Sequence, residues 1–61
     1  MNIRLIEWRK KLRHTQTTLG KALGVSLRQI QRYEKGVTPV PDMLWMAMRV
    51  VPSYKRKLED L

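Results

Sequence analysis

Apolar residues recur along this chain three and four positions apart, and nowhere do they alternate with the period of two that a half-buried strand requires. Ile3 or Leu5, Trp8 and Leu12 fall on one side of a first segment while Arg4, Lys10, Lys11 and Arg13 fall elsewhere, which predicts an amphipathic helix over about residues 2–13. Thr15 is placed to cap a second helix with apolar positions Leu19, Ala22 and Leu23. That helix stops at Gly24, the residue type best able to turn left-handed at a helix end. Ser26-Leu27-Arg28-Gln29 reads as a capping box, in which the Ser26 hydroxyl accepts from the Gln29 amide and the Gln29 side chain returns to the Ser26 amide. A third helix then runs to near Lys35, with Gly36 as its exit. Pro39 and Pro41 lack amide donors and hold Val37 to Pro41 out of a helix. Pro41 suits the first turn of a fourth helix reaching about Val51. Pro52 closes it, and Ser53 can cap a short final helix through Leu58.

Length narrows this all-α reading to one domain, residues 1–61. A chain of 61 residues and 7.3 kDa excludes two-domain architectures, TIM barrels and Rossmann folds, and it buries only about 60% of its unfolded surface. Without cysteine there is no disulfide, no thiolate nucleophile and no Cys-based zinc site, so stability must come from helix packing or self-association. Charge then points to the partner. Thirteen Lys and Arg against five Asp and Glu give +8, with +4 in residues 1–14 and +3 in residues 15–35. The basic N-terminal part is therefore expected to face a polyanion. No apolar run approaches the roughly 18 residues of a membrane span and no signal-peptide core opens the chain, so a cytoplasmic protein without a membrane partner is expected.

Residues 16–35 carry the informative constellation: two short helices joined by a three-residue turn, which only a sharply angled helix pair accommodates. Gly20 supplies the small residue where the helices cross, Gly24 supplies the positive φ, and Leu19, Leu23, Val25, Ile30 and Tyr33 supply an apolar interior. Left over on the third helix are Leu27, Arg28, Gln31, Arg32 and Lys35. Positions 28, 31, 32 and 35 share one face and none is acidic. An exposed helix about 10 Å across bearing Arg and Gln fits the major groove of double-stranded DNA, where Arg pairs with guanine and Gln with adenine. Leu27 is an apolar residue at the helix start that can pack on a thymine methyl.

With these residues together, Thr15-Gln16, Leu19-Gly20, Leu23-Gly24-Val25-Ser26 and Ile30-Gln31-Arg32-Tyr33-Glu34-Lys35-Gly36 resemble the helix-turn-helix signature of the Cro/CI, or XRE-like, family of DNA-binding repressors. The likeness extends over roughly residues 3–51, and the Val-Thr-Pro-Val-Pro segment is similar to that of small phage-encoded regulators, including anti-CRISPR-associated ones. The resemblance implies a compact four- to five-helix, lambda-repressor-like domain. It also implies that Gln16 hydrogen-bonds a DNA phosphate and that Arg9 and Glu34 form a partly buried ion pair joining the first helix to the third. Gly20 stands where the family more often has alanine, and should weaken the second helix by about 1 kcal/mol.

For most other charges the bland reading competes. Arg4, Lys10, Lys11 and Arg13 are ordinary solvated groups unless they reach phosphate; Lys11 and Arg13, with Gln16, Ser26 and Lys35, are the candidates for doing so. His14 reads as a surface residue beside a cap, without the partner ligands a metal would need. Met43 to Met48 is core filler rather than a cofactor box, and neither a cofactor nor a small-molecule ligand is expected. The fourth helix is apolar on nearly all sides from Met43 to Val51, so a second face should meet another subunit. Met43, Ala47 and Val50 are assigned to the core, and Leu44, Trp45 and Met48, with Tyr54 and Leu58, to a homodimer contact in a dimerisation region of about residues 43–61. Together these readings describe a dimeric transcriptional regulator, a repressor occluding a promoter at a near-palindromic operator. The competing class is an antitoxin or helical adaptor whose main partner is a protein. An enzyme fares poorly, with one histidine, no cysteine and no pair of acids sharing a site. A membrane-surface peptide fails on the breaks at Gly24 and Gly36 to Pro41.

Overall fold

The computed structural model describes residues 1–54. Four helices follow in order, α1 (Ile3–Lys11), α2 (Gln16–Leu23), α3 (Leu27–Lys35) and α4 (Asp42–Met48), and no strand occurs among the described residues. Side-chain caps start the first three. Asn2 Oδ1 accepts from the Leu5 amide at 3.1 Å. Thr15 and Thr18 form a reciprocal box, Thr15 Oγ1 accepting from the Thr18 amide at 3.0 Å and Thr18 Oγ1 from the Thr15 amide at 2.9 Å. Ser26 Oγ accepts from the Gln29 amide at 3.2 Å, but the Gln29 side chain does not return to Ser26, so the expected box is only half formed.

One device ends α1, α2 and α3. Arg13, Gly24 and Gly36 take φ of 62°, 71° and 80°. The next residue's amide then reaches back five positions, from His14 to the Arg9 carbonyl, Val25 to Gly20 and Val37 to Arg32, at 3.1, 2.8 and 3.1 Å. Because Arg13 is the left-handed residue, α1 stops at Lys11 instead of running to residue 13. α4 also stops short of the expected Val51. The amides of Arg49, Val50 and Val51 each reach only three residues back, tightening the chain ahead of Pro52, which disfavours helical backbone at Val51. Ser53 and Tyr54 are not helical; the rest of the expected final helix, including Leu58, lies outside the described residues.

Leu5, Leu19, Ile30, Tyr33 and Met48 form the buried centre, one or two from each helix, with Trp8, Leu12, Leu23, Val25, Val40, Leu44, Trp45 and Val51 around them. Each fully buried aliphatic chain contributes about 1.5–3 kcal/mol. At the α2–α3 crossing Gly20 meets more than a need for smallness: a Cβ there would stand 2.5 Å from the Val25 carbonyl oxygen.

The inward face of α4 differs from the one its sequence suggests: of Met43, Ala47 and Val50, only Ala47 is half-buried. Met43 and Val50 are 80% and 82% exposed, whereas Met48 is 1% exposed and belongs to the core. Aromatic stacking sets the rotation. The Trp45 ring lies against that of Trp8 at 5.9 Å between centroids and 16° between planes, and the Arg4 guanidinium covers Trp45 at 4.2 Å. Turning Trp45 inward carries Leu44 and Met48 with it and leaves Met43 and Met46 in solvent. Met48 therefore cannot present its side chain to another subunit, and Trp45 is largely occupied within its own chain.

Candidate nucleic-acid interface

α3 is held by one face and leaves the opposite face open. Ile30, Tyr33 and Glu34 are buried, while Leu27, Arg28, Gln31, Arg32 and Lys35 are exposed, Leu27 at 43%. The helix thus presents three cations, one amide and one aliphatic group along one side, and its one acid is turned away. At its N-terminus the exposed Ser26 hydroxyl is an acceptor in the cap and keeps a proton to donate.

Glu34 is the hub beneath this surface. Its Oε2 accepts from Arg9 Nε at 2.6 Å and its Oε1 from Arg9 Nη2 at 3.3 Å, the two side chains being 7% and 14% exposed. The remaining Arg9 nitrogen, Nη1, donates to the His14 carbonyl at 3.0 Å, so the guanidinium ties the end of α1 to α3. The Glu34 carbonyl accepts from the Asn2 amide at 2.8 Å, fixing the start of α1 as well. Gln16, the first residue of α2, donates from Nε2 to Glu34 Oε1 at 3.0 Å, and its own Oε1 accepts from Gln31 Nε2 at 3.5 Å. Gln16 is half-buried within this chain of bonds. No buried side-chain polar atom among the described residues lacks a partner.

Beside the start of α2 an open cleft is lined by Lys10, Arg13, Thr15, Gln16 and Tyr54, with Arg9 and His14 at its floor. Lys11 is exposed on the last turn of α1. Other placements depart from the sequence reading. His14 is 9% exposed: its Nε2 donates to the Pro52 carbonyl at 2.9 Å, its Nδ1 lies 2.9 Å from Thr18 Oγ1, and the Tyr54 ring meets it edge-on at 5.7 Å between centroids. The segment after Pro52 folds back to make this contact and is pinned by the Tyr54 amide donating to the Leu12 carbonyl at 2.8 Å. Arg4 lies on the tryptophans. No group of three or more His, Cys, Asp or Glu among the described residues could hold a metal, and no helix there is long and apolar enough to cross a membrane. Asn2 as a cap and Thr18 as the second half of a box carry the ordinary signal of a polar residue ahead of an apolar run. His14 carries none, because its partners are 4 and 38 positions away.

Comparison with known proteins agrees with this geometry. A family model described as Helix-turn-helix matches residues 5–50. The chain is 44% identical over 52 residues to the uncharacterized HTH-type transcriptional regulator y4wC of Sinorhizobium fredii (strain NBRC 101917 / NGR234), an alignment covering 79% of this chain and 34% of that regulator. The chain thus corresponds to about a third of the length of that relative. No solved structure matches. With the matched residues covering α2, α3, α4, most of α1 and both left-handed glycine turns, the chain belongs to the XRE-type helix-turn-helix family.

Proposed function

We propose that this chain binds double-stranded DNA selectively as the DNA-reading part of a transcriptional regulator, with α3 lying in the major groove. One observation carries the reading: the solvent side of α3 displays Arg28, Gln31, Arg32 and Lys35 with no acid among them, while Glu34 is buried under Arg9 and Gln16. Leu27, Arg28, Gln31 and Arg32 are the base-reading side chains. Gln16, Ser26 and Lys35, with Arg13 in the neighbouring cleft and Lys11 on the last turn of α1, contact phosphate. The matched relative's name, an HTH-type transcriptional regulator, supports the regulatory role.

Two copies on one near-palindromic operator would place paired recognition helices about 34 Å apart, and repression by promoter occlusion needs nothing more than that occupancy. The exposed Met43, Met46 and Val50 are the apolar side chains best suited to the second copy, since Leu44 and Trp45 are half-buried and Tyr54 packs on His14. A competition assay between a selected duplex and scrambled DNA, across salt concentrations, tests the groove assignment. Arg28→Ala and Arg32→Ala should each lower the preference by about 1–3 kcal/mol per lost base contact, and Lys35→Ala should weaken all sequences alike. Unchanged selectivity in both arginine variants refutes it.

A further inference from the structure

We infer that Glu34, although buried and out of reach of DNA, sets the donor and acceptor order of the base-reading amide of Gln31, acting through Gln16. This rests on the major-groove assignment of α3. A carboxylate only accepts, so the amide of Gln16 beside Glu34 Oε1 must turn its nitrogen toward it, at 3.0 Å. Once Nε2 is committed to Glu34, the oxygen of Gln16 is the atom left facing Gln31. Gln31 must answer with its nitrogen, and Nε2 stands 3.5 Å from that oxygen. One hydrogen of Gln31 Nε2 is used in this way. The other hydrogen and Oε1 remain for the groove, in an order fixed relative to the helix.

An isolated glutamine on an exposed helix rotates freely about its last torsion and presents donor and acceptor in either order. Adenine offers a donor at N6 and an acceptor at N7 in one spatial order, and only one orientation of a glutamine at a given position matches both. Biasing that order before binding lowers the ordering cost and disfavours the mismatched order. Glu34 is itself held, by Arg9 at 2.6 Å and by burial, so the reference end of the chain of bonds does not move with DNA. Glu34 and Gln16 are in this sense positioning residues, and Gln31 is the reader.

Selection of bound sequences from a random duplex pool, carried out with wild type, Gln31→Ala and Gln16→Leu, tests the relay. The base pair whose preference disappears in Gln31→Ala is the one that Gln31 reads. At that pair alone, Gln16→Leu should lower the preference by about five- to tenfold in a two-duplex competition, in the range of one base contact. Loss of a phosphate contact by Gln16 instead weakens every sequence equally and leaves the ratio untouched. Glu34→Gln, whose amide can either donate or accept, should produce a smaller loss at the same position in folded protein, because its oxygen holds Gln16 in only one of its two orientations. Gln16→Leu carries the test alone where Glu34→Gln does not fold. A Gln16→Leu protein that keeps the Gln31-dependent preference within about twofold overturns the relay and leaves the groove assignment standing. The relay also falls if Gln31→Ala changes no preference, and a wild type that enriches no sequence overturns the groove assignment together with it.

Discussion

Removing the charge of Glu34 while keeping its shape should cost this domain about a third or more of its stability. In Glu34→Gln the Arg9 guanidinium keeps its place between α1 and α3, 14% exposed, but loses the carboxylate that it meets at 2.6 and 3.3 Å. The new amide must also point a donor at either Arg9 or Gln16, both of which donate to Glu34. Breaking one side of a buried pair costs about 3–5 kcal/mol, because the surviving charge stays desolvated. A domain of this length holds only about 3–9 kcal/mol in total. Converted at about 4–8 °C per kcal/mol, the expected fall in Tm is at least about 12 °C, read by circular dichroism at 222 nm. Arg9→Met combined with Glu34→Leu removes both charges and should recover part of that loss, though the His14 carbonyl and the Gln16 amide lose their partners. The reasoning fails if Glu34→Gln melts within about 3 °C of wild type, or if the double variant loses as much as the two single variants added together.

Further expectations follow from backbone and face. Arg13→Val should melt about 4–8 °C below Arg13→Gly, since both remove the side chain but a β-branched residue tolerates φ of 62° poorly; thermal melts giving the reverse order refute the assignment of Arg13 as the turn that ends α1. Gly20→Ala should destabilise in urea titration despite the roughly 1 kcal/mol that alanine gains in a helix, because its Cβ would press on the Val25 carbonyl at 2.5 Å; a gain in stability shows that the turn yields easily. Met46→Glu should leave the melting curve nearly unchanged and reduce self-association in sedimentation, whereas Met48→Glu should unfold the chain by placing a carboxylate in the core; equal melting of the two refutes the rotation described for α4.

The elements that the sequence made legible are those with a local cause. Thr15, Gly24, Ser26 and Gly36 each act within five residues of themselves, so the limits of α2 and α3 could be read directly from residue type and spacing. The end of α1 could not, because the left-handed turn falls on Arg13, a residue type that gives no sign of it. His14 reads as a surface residue for a related reason. Its burial depends on Pro52 and Tyr54 returning across the end of α1, and no pattern near residue 14 announces that return.

α4 shows how periodicity fails when a segment is apolar all round. With Met43, Leu44, Trp45, Met46, Ala47 and Met48 in succession, every rotation of the helix buries a hydrophobic stripe, and burial alone hardly distinguishes them. Shape decides instead: two indole rings can stack only if Trp45 faces Trp8, and Arg4 then caps the stack. The stacking adds about 0.5–1.5 kcal/mol beyond area, and the guanidinium a further increment. Flexible methionines accept whichever face is left, which places Met48 in the core and Met43 and Met46 outside. The same substitution that tests the stack therefore tests the orientation of the outer stripe. Trp8→Leu keeps the site apolar but removes the ring that selects the rotation, and should free Arg4 and blur the distinction between the two faces of α4.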